Sequence, residues 1–477
     1  MHLPLHHQQS LKTMDGSHQD MFTTLTNDLL VLIVGNLPFK EAARTSILSK
    51  QWCNIWRETA ILEFNEDFFV KFQENEETQI IQRIAFFDFV RGFIANYPQR
   101  EIQSFALACS KPQDFLADIQ DFVIFAVSRN VKELELDLSD PRWSEDDLDN
   151  HLAVAELPFQ AYHLVGLESL KLFSCSIDVS RVSNFTTLKD VSLGWIKISI
   201  TFIKSLLVTC PLIESLSLKK CWNVIEQFEI SLPNLKLKNL ILEKCNFIHD
   251  MFWIDGPNIK FLKYSGKIGH FHLLDQRNLA EVDLDFGMEN EFKEVGAFLY
   301  DFLQELYSAR VMTVCSVFLQ TIAQEAEPLG LHAPINVRHL ILKTAMHFNE
   351  FHGIRFMLRS CPRLEVLTFD IGPRKIFPDY VPPFELDPHE FWSKDIRIHR
   401  CIRRSLLVVN VKAFKGTLSE LYVLKYIICY GRQLEQLNLY ISNEEGENGE
   451  NRDTYMARVQ QIREFENSSL DLQISVF

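Results

Sequence analysis

"LLVTCPLIESLSL", Leu206–Leu218, is the stretch on which the reading of this chain turns. Upstream of Pro211, the run "SITFIKSLLVTC" carries apolar residues at three- and four-residue spacing, the mark of a helix with one buried face, and the proline stops it. Downstream, Ile213, Leu216 and Leu218 form an L-x-x-L-x-L pattern, a short strand whose alternate side chains point inward. The same block returns as "MLRSCPRLEVLTF" at Met357–Phe369 and as "IICYGRQLEQLNL" at Ile427–Leu439. Their helices, "EFHGIRFMLRSC" and "TLSELYVLKYIICY", end at Pro362 and Gly431.

The strand half recurs far more often than the whole block. It appears at Ile102-Phe105-Leu107, Val131-Leu134-Leu136, Leu167-Leu170-Leu172 and Leu188-Val191-Leu193. Further copies start at Leu237, Ile259, Leu279, Val337, Leu364, Leu406 and Leu434, with a weak one at Ala309. Spacings of roughly 20 to 30 residues are those of leucine-rich repeats. One such unit cannot bury its apolar edge alone, so neighbours must stack. The expected fold is α/β: a curved solenoid of parallel strands with helical returns. A doubly wound sheet also alternates strand and helix, but here the strand pattern keeps one phase throughout.

Irregularities interrupt the repeat. The proline- and aromatic-rich stretch 371–400 reads as an extended loop, and 291–307 as an amphipathic helical insertion. The acidic runs "SEDDLDN" (144–150) and "NEEGENGENRD" (443–453) read as solvated loops.

Composition excludes several classes of function. A net charge of −15 over 477 residues argues against nucleic-acid binding, which needs a basic face. The ten cysteines contain no C-x-x-C pair and sit mostly in apolar strings, where a free thiol behaves as a small hydrophobe in a reducing compartment. No stretch approaches the roughly 20 apolar residues needed to span a bilayer, and the N-terminal residues lack a secretory pattern. A soluble protein of the cytoplasm or nucleus, with protein or small-molecule partners, is expected. No phosphate-binding glycine loop or nucleophile elbow is present, so no enzyme and no cofactor are expected. The tightest metal-like cluster, His347, Glu350 and His352, spaces its histidines by five residues, which does not put them on one helical face, so no metal is expected either. His2, His6 and His7 are assigned to a flexible tail, 1–20.

Upstream of the repeats, "LTNDLLVLIVGNLPFKEAARTSILSKQWCNIW" reads as three short helices. Thr26 or Asn27 caps the first; Leu29, Leu30 and Ile33 share a face; the second starts after Pro38; the third carries Trp52 and Trp56, four residues apart. So small a unit either leans on the repeats downstream of it or lends its apolar surface to a partner.

This segment resembles an F-box. Leu25, Asp28, Leu29, Leu30, Ile33, Leu37, Pro38, Ala43, Arg44, Ser46, Leu48, Ser49, Lys50, Trp52 and Trp56 fall on the family pattern, while Thr26 stands where proline is usual and Gln51 where arginine is usual. The C-terminal part is similar to the plant F-box, leucine-rich-repeat and FBD proteins through Leu406, Val409, Val411, Phe414, Gly416, Glu420, Leu424, Tyr426, Leu434, Glu435 and Leu437. The organisation implied is an F-box at 21–65, repeats at 66–385, an FBD segment at 386–465 continuing the solenoid, and a tail at 466–477. The resemblance implies a substrate adaptor of an SCF ubiquitin ligase. It would bind a Skp-type subunit, and through it a cullin, by Leu25, Leu29, Leu30, Ile33, Leu37, Pro38, Leu48, Trp52 and Trp56. A protein substrate would be held by solvent-facing strand positions such as Lys171, Ser217 and Glu243. The alternative is a non-catalytic repeat scaffold that binds a protein or small molecule without ubiquitination; against an anionic ligand, only Lys171, Lys219 and Lys260 are scattered along the strands.

Overall fold

The computed structural model describes residues 25–144, 153, 155–223, 226–232, 235–246, 248–322, 331, 333–380, 388–393, 398–446 and 449–477. The expected tail 1–20 with His2, His6 and His7, and most of the acidic run 144–150, lie outside them.

Fifteen parallel strands form one sheet in which spatial order follows chain order, from Ile61–Asn65 to Gln473–Val476. Each of the thirteen L-x-x-L-x-L patterns is one of its members. The registers line up one row across all fifteen: Leu62, Phe105, Leu134, Leu170, Val191, Leu216, Leu240, Leu262, Val282, Met312, Leu340, Leu367, Val409, Leu437 and Ile474. Every member of that row but the last is buried, because a period-two strand turns it toward the returning segments. The residues between face the opposite way and leave one face of the sheet open.

The three long blocks resemble one another because they build the same corner. The N–H groups of Cys210, Cys361 and Gly431 donate to the carbonyls of Leu206, Met357 and Ile427, closing each helix. Three residues on, Ile213, Leu364 and Leu434 donate back to Cys210, Cys361 and Gly431 and start the next strand. After the strands, a left-handed residue turns the chain, as at Ser174, Trp195, Lys220 and Lys244. Eight of the ten cysteines are buried and all are free. Cys221 and Cys245 donate to the carbonyls of Leu193 and Leu218 one repeat earlier, and burial pushes the Cys175, Cys315 and Cys401 thiols up to about 12.

Four expectations change. First, the middle returns are not helices: Glu226–Ser231, Ile248–Asp255 and His270–Leu274 make a second parallel sheet, with Phe228 stacked on Phe252 at 5.1 Å. Alternating aromatic residues there favour a pleated surface over a helix. Second, the strands Ile61–Asn65 and Gln473–Val476 lie inside the segments assigned to the F-box and to the tail, so the sheet runs past both boundaries. Third, the helix expected at 291–307 is shorter, Gly296–Glu305, and is an ordinary return between two strands. Fourth, the loop 371–400 contains a helical turn, Pro388–Ser393, whose Phe391 and Trp392 pack on Phe351. No helix of the described residues is long and apolar enough to cross a membrane.

Candidate functional site

The F-box segment folds as the helices Asn27–Val34 and Phe39–Arg44, followed by the 3-10 turns Thr45–Ile47 and Ile55–Glu58. Thr26 occupies the first N-cap, though without a side-chain cap bond. The expected third helix is replaced by turns: the N–H groups of Trp52 and Ile55 donate three residues back, to Ser49 and Trp52. This tighter winding aims both tryptophans inward. Gln51, standing where the family pattern has arginine, donates from Nε2 to the Leu25 carbonyl at 3.0 Å and ties the end of the unit to its beginning.

The nine residues expected to meet a partner divide sharply. Leu29 (48% exposed), Ile33 (41%), Leu37 (37%) and Leu48 (63%) face solvent, with Pro38 beside them and Leu25 half-buried. Leu30, Trp52 and Trp56 do not: all three are buried in a core that continues into the first repeat. Trp56 packs on Phe39 and Phe93 at 5.7 and 5.5 Å between centroids, and its Nε1 donates to the Cys53 carbonyl. These contacts within the chain are the physical reason that the three are buried where an outward position was expected. Two further side chains belong with the exposed group, Leu32 (64%) and Ile47 (85%). Leu32 could have been found from its spacing, since Leu29, Leu32 and Ile33 lie on one helical face. Ile47 carries no such signal, because its exposure depends on a 3-10 turn. Six large apolar side chains are thus exposed within twenty residues.

The open face of the sheet is a second candidate surface. Lys171 pairs with Glu135 at 2.9 Å and Glu243 with Lys263 at 2.8 Å, both accessible. Ser217, expected to face solvent, is buried, a small side chain set between its strand neighbours Ser192 and Ile241.

The histidine–glutamate cluster caps a helix end. His347 and Glu350 form a reciprocal capping box, and the fully buried Glu350 accepts the His347 N–H at 2.7 Å. His352 faces the Phe391 ring at 4.7 Å.

Residues 22–63 match the F-box domain family, and residues 122–269 match the family described as "FBD-associated F-box protein At5g56370, LRR repeats". The F-box protein At3g62230 of Arabidopsis thaliana is 36% identical over 430 residues, covering 89% of this chain and 92% of that protein. The putative F-box/LRR-repeat proteins At1g56400 and At5g54820 of the same plant are 35% and 34% identical, covering 89% and 90% of this chain and 91% and 93% of theirs. With an exposed apolar helical unit at one end of a leucine-rich-repeat sheet, and this likeness along nearly its whole length, the chain belongs to the F-box/leucine-rich-repeat family.

Proposed function

We propose that this chain is a substrate adaptor of an SCF-type ubiquitin ligase. Its F-box docks on a Skp-type subunit and through it on a cullin, and its repeats hold a protein target in the cytoplasm or nucleus. The observation that supports this most is the outward face carried by Leu29, Leu32, Ile33, Leu37, Ile47 and Leu48. Covering a fully exposed side chain of this kind gains about 1.5–3 kcal/mol, and these, between 37% and 85% exposed, gain a corresponding fraction of it when a partner covers them. In this role the chain needs no nucleophile. It contributes proximity, turning an encounter between target and ubiquitin-charged enzyme into an effectively intramolecular one.

The test is capture of a Skp-type subunit by the full chain and by a Leu37→Ala/Pro38→Ala variant, with circular dichroism to verify the fold. Loss of capture with the sheet intact supports the docking surface; undiminished capture places it elsewhere.

A further inference from the structure

We propose that Gln51 is a positioning residue for the docking face: its side-chain amide clasps the entry of the first F-box helix and holds Leu25 and Leu29 in place for the Skp-type subunit. This rests on the adaptor role and names what prepares that surface.

The first helix begins with little to fix it. Thr26 stands at its N-cap, where the family pattern has proline, and its side chain makes no bond to the turn that follows. A helix without that bond frays at its first turn. Leu25, one of the residues expected at the partner, lies outside the helix and is only half-buried. A partner that met a frayed entry would have to order it, at a cost in affinity.

Gln51 supplies the restraint from the far end of the unit. Its Nε2 donates to the Leu25 carbonyl at 3.0 Å and to Asn27 Oδ1 at 3.3 Å, one bond on each side of Thr26. The residue after it, Trp52, is buried in the core at 6% exposure. Gln51 is therefore the fixed end of the clasp, and the entry segment is the part that is held. Between the two bonds, Thr26 lies at φ −70° and ψ 154°, inside the range that a proline ring imposes. Its N–H meets no acceptor among the described residues, and its carbonyl receives the Leu30 N–H at 3.1 Å as the first bond of the helix. The clasp thus fixes by hydrogen bonding a backbone that proline would fix by its ring, and proline at 26 would sacrifice no bond.

That equivalence provides the test. Gln51→Met keeps the length of the side chain and removes both donated bonds; Gln51→Arg keeps a donor; Thr26→Pro is made alone and together with Gln51→Met. Each full chain is titrated against an immobilised Skp-type subunit, and deuterium uptake over residues 25–34 is read by mass spectrometry on the free chain. Gln51→Met should weaken binding about three- to tenfold, the size of one neutral hydrogen bond, and should raise uptake, with the far-ultraviolet circular dichroism unchanged. Gln51→Arg should bind as the parent does. Thr26→Pro should improve binding more in the Gln51→Met background than in the parent, because only there is the restraint missing. Parent-like binding by Gln51→Met, or an equal effect of Thr26→Pro in both backgrounds, overturns the proposal. Failure of the parent chain to bind the subunit would bear on the adaptor role, whereas uptake over 25–34 unaltered by Gln51→Met overturns the clasp whether or not the subunit binds.

Discussion

Phe39, on the second F-box helix, meets Phe64, on the first strand of the long sheet, edge-on with 5.4 Å between ring centroids. Phe93 from the helix Glu76–Ala95 closes on both, at 5.8 and 5.3 Å, and Trp56 joins them. The F-box and the first repeat therefore share one aromatic core. Removing the Trp56 ring by Trp56→Ala should cost about 3–5 kcal/mol in urea unfolding, the range for deleting a buried aromatic side chain. Leu48→Ala, at an exposed position, should stay within about 0.5 kcal/mol of the parent while weakening capture of a Skp-type subunit. An unchanged unfolding midpoint for Trp56→Ala would contradict the shared core.

A buried ion pair fastens the turn after the first strand. Arg83 Nε donates to Glu66 Oε2 at 3.0 Å and Nη2 donates to Ser110 Oγ at 3.1 Å, while Glu66 Oε1 accepts the Ser110 N–H at 2.8 Å. Neither charged side chain is more than 4% exposed. Arg83→Met leaves an uncompensated carboxylate and should cost roughly 3–5 kcal/mol. Adding Glu66→Gln should recover part of that loss, and a double-mutant cycle in urea measures the coupling. A double variant less stable than Arg83→Met would show that the two residues do not act as a pair.

The "FKGTLSEL" segment owes its composition to one turn. Gly416 sits at φ +67°, and a β-carbon there would lie 2.8 Å from the side chain of Arg458. The buried Glu420 carboxylate accepts the N–H groups of Lys415 and Gly416, both at 3.0 Å, and Thr417 Oγ1 receives the Glu420 N–H in return. Glu420→Ala strands these donors and should destabilise by about 2–3 kcal/mol. Gly416→Ala should cost about 1–2 kcal/mol or more, because left-handed backbone and close approach act together. Thermal unfolding of the two variants checks both, and parent-like melting of Gly416→Ala would show that the turn relaxes.

The repeat was legible because L-x-x-L-x-L encodes both a period of two and an inward face, and each of its thirteen copies became a strand. The strands at Ile61 and Gln473 escaped notice for lack of a leading leucine: their inward residues, Leu62 and Phe64, Ile474 and Val476, make the alternation without the longer motif. The sheet built from Glu226–Ser231 and its neighbours was hidden because three short alternating segments look alike whether they line the open face or the return. At the F-box, pattern matching picked the right segment but could not sort contact residues from core residues. Leu29 and Leu30 are adjacent and both apolar, yet one is half exposed and the other fully buried. That difference is fixed by the packing of their helix against the turn Ile55–Glu58, which is not local in sequence.

Acid sensitivity should reside near the C-terminal repeats. His352 and His399 are both buried, the first against Phe391 and the second against Tyr426 at 6.1 Å. Burial, reinforced by the positive charges of Arg355 and Arg359, pushes both down from 6.5 to about 3. A base whose folded pKa is depressed binds its proton more readily when unfolded. Its stabilising share is therefore complete above about pH 6.5 and is lost progressively as pH falls toward 3. Each histidine contributes a slope of up to about 1.4 kcal/mol per pH unit in that window, or about 2 kcal/mol between pH 6.5 and 5. His339 and His347, less deeply buried, are lowered in the same direction by desolvation, the first also by Lys412, and add to the slope. Urea unfolding at pH 7.5, 6.5, 5.5 and 5.0 should show stability falling toward acid, with His352→Gln and His399→Gln each flattening the profile whatever their effect at pH 7.5. A profile flat across that range, or variants that keep the parent's full slope, would mean that these imidazoles take up protons without opening the fold around them.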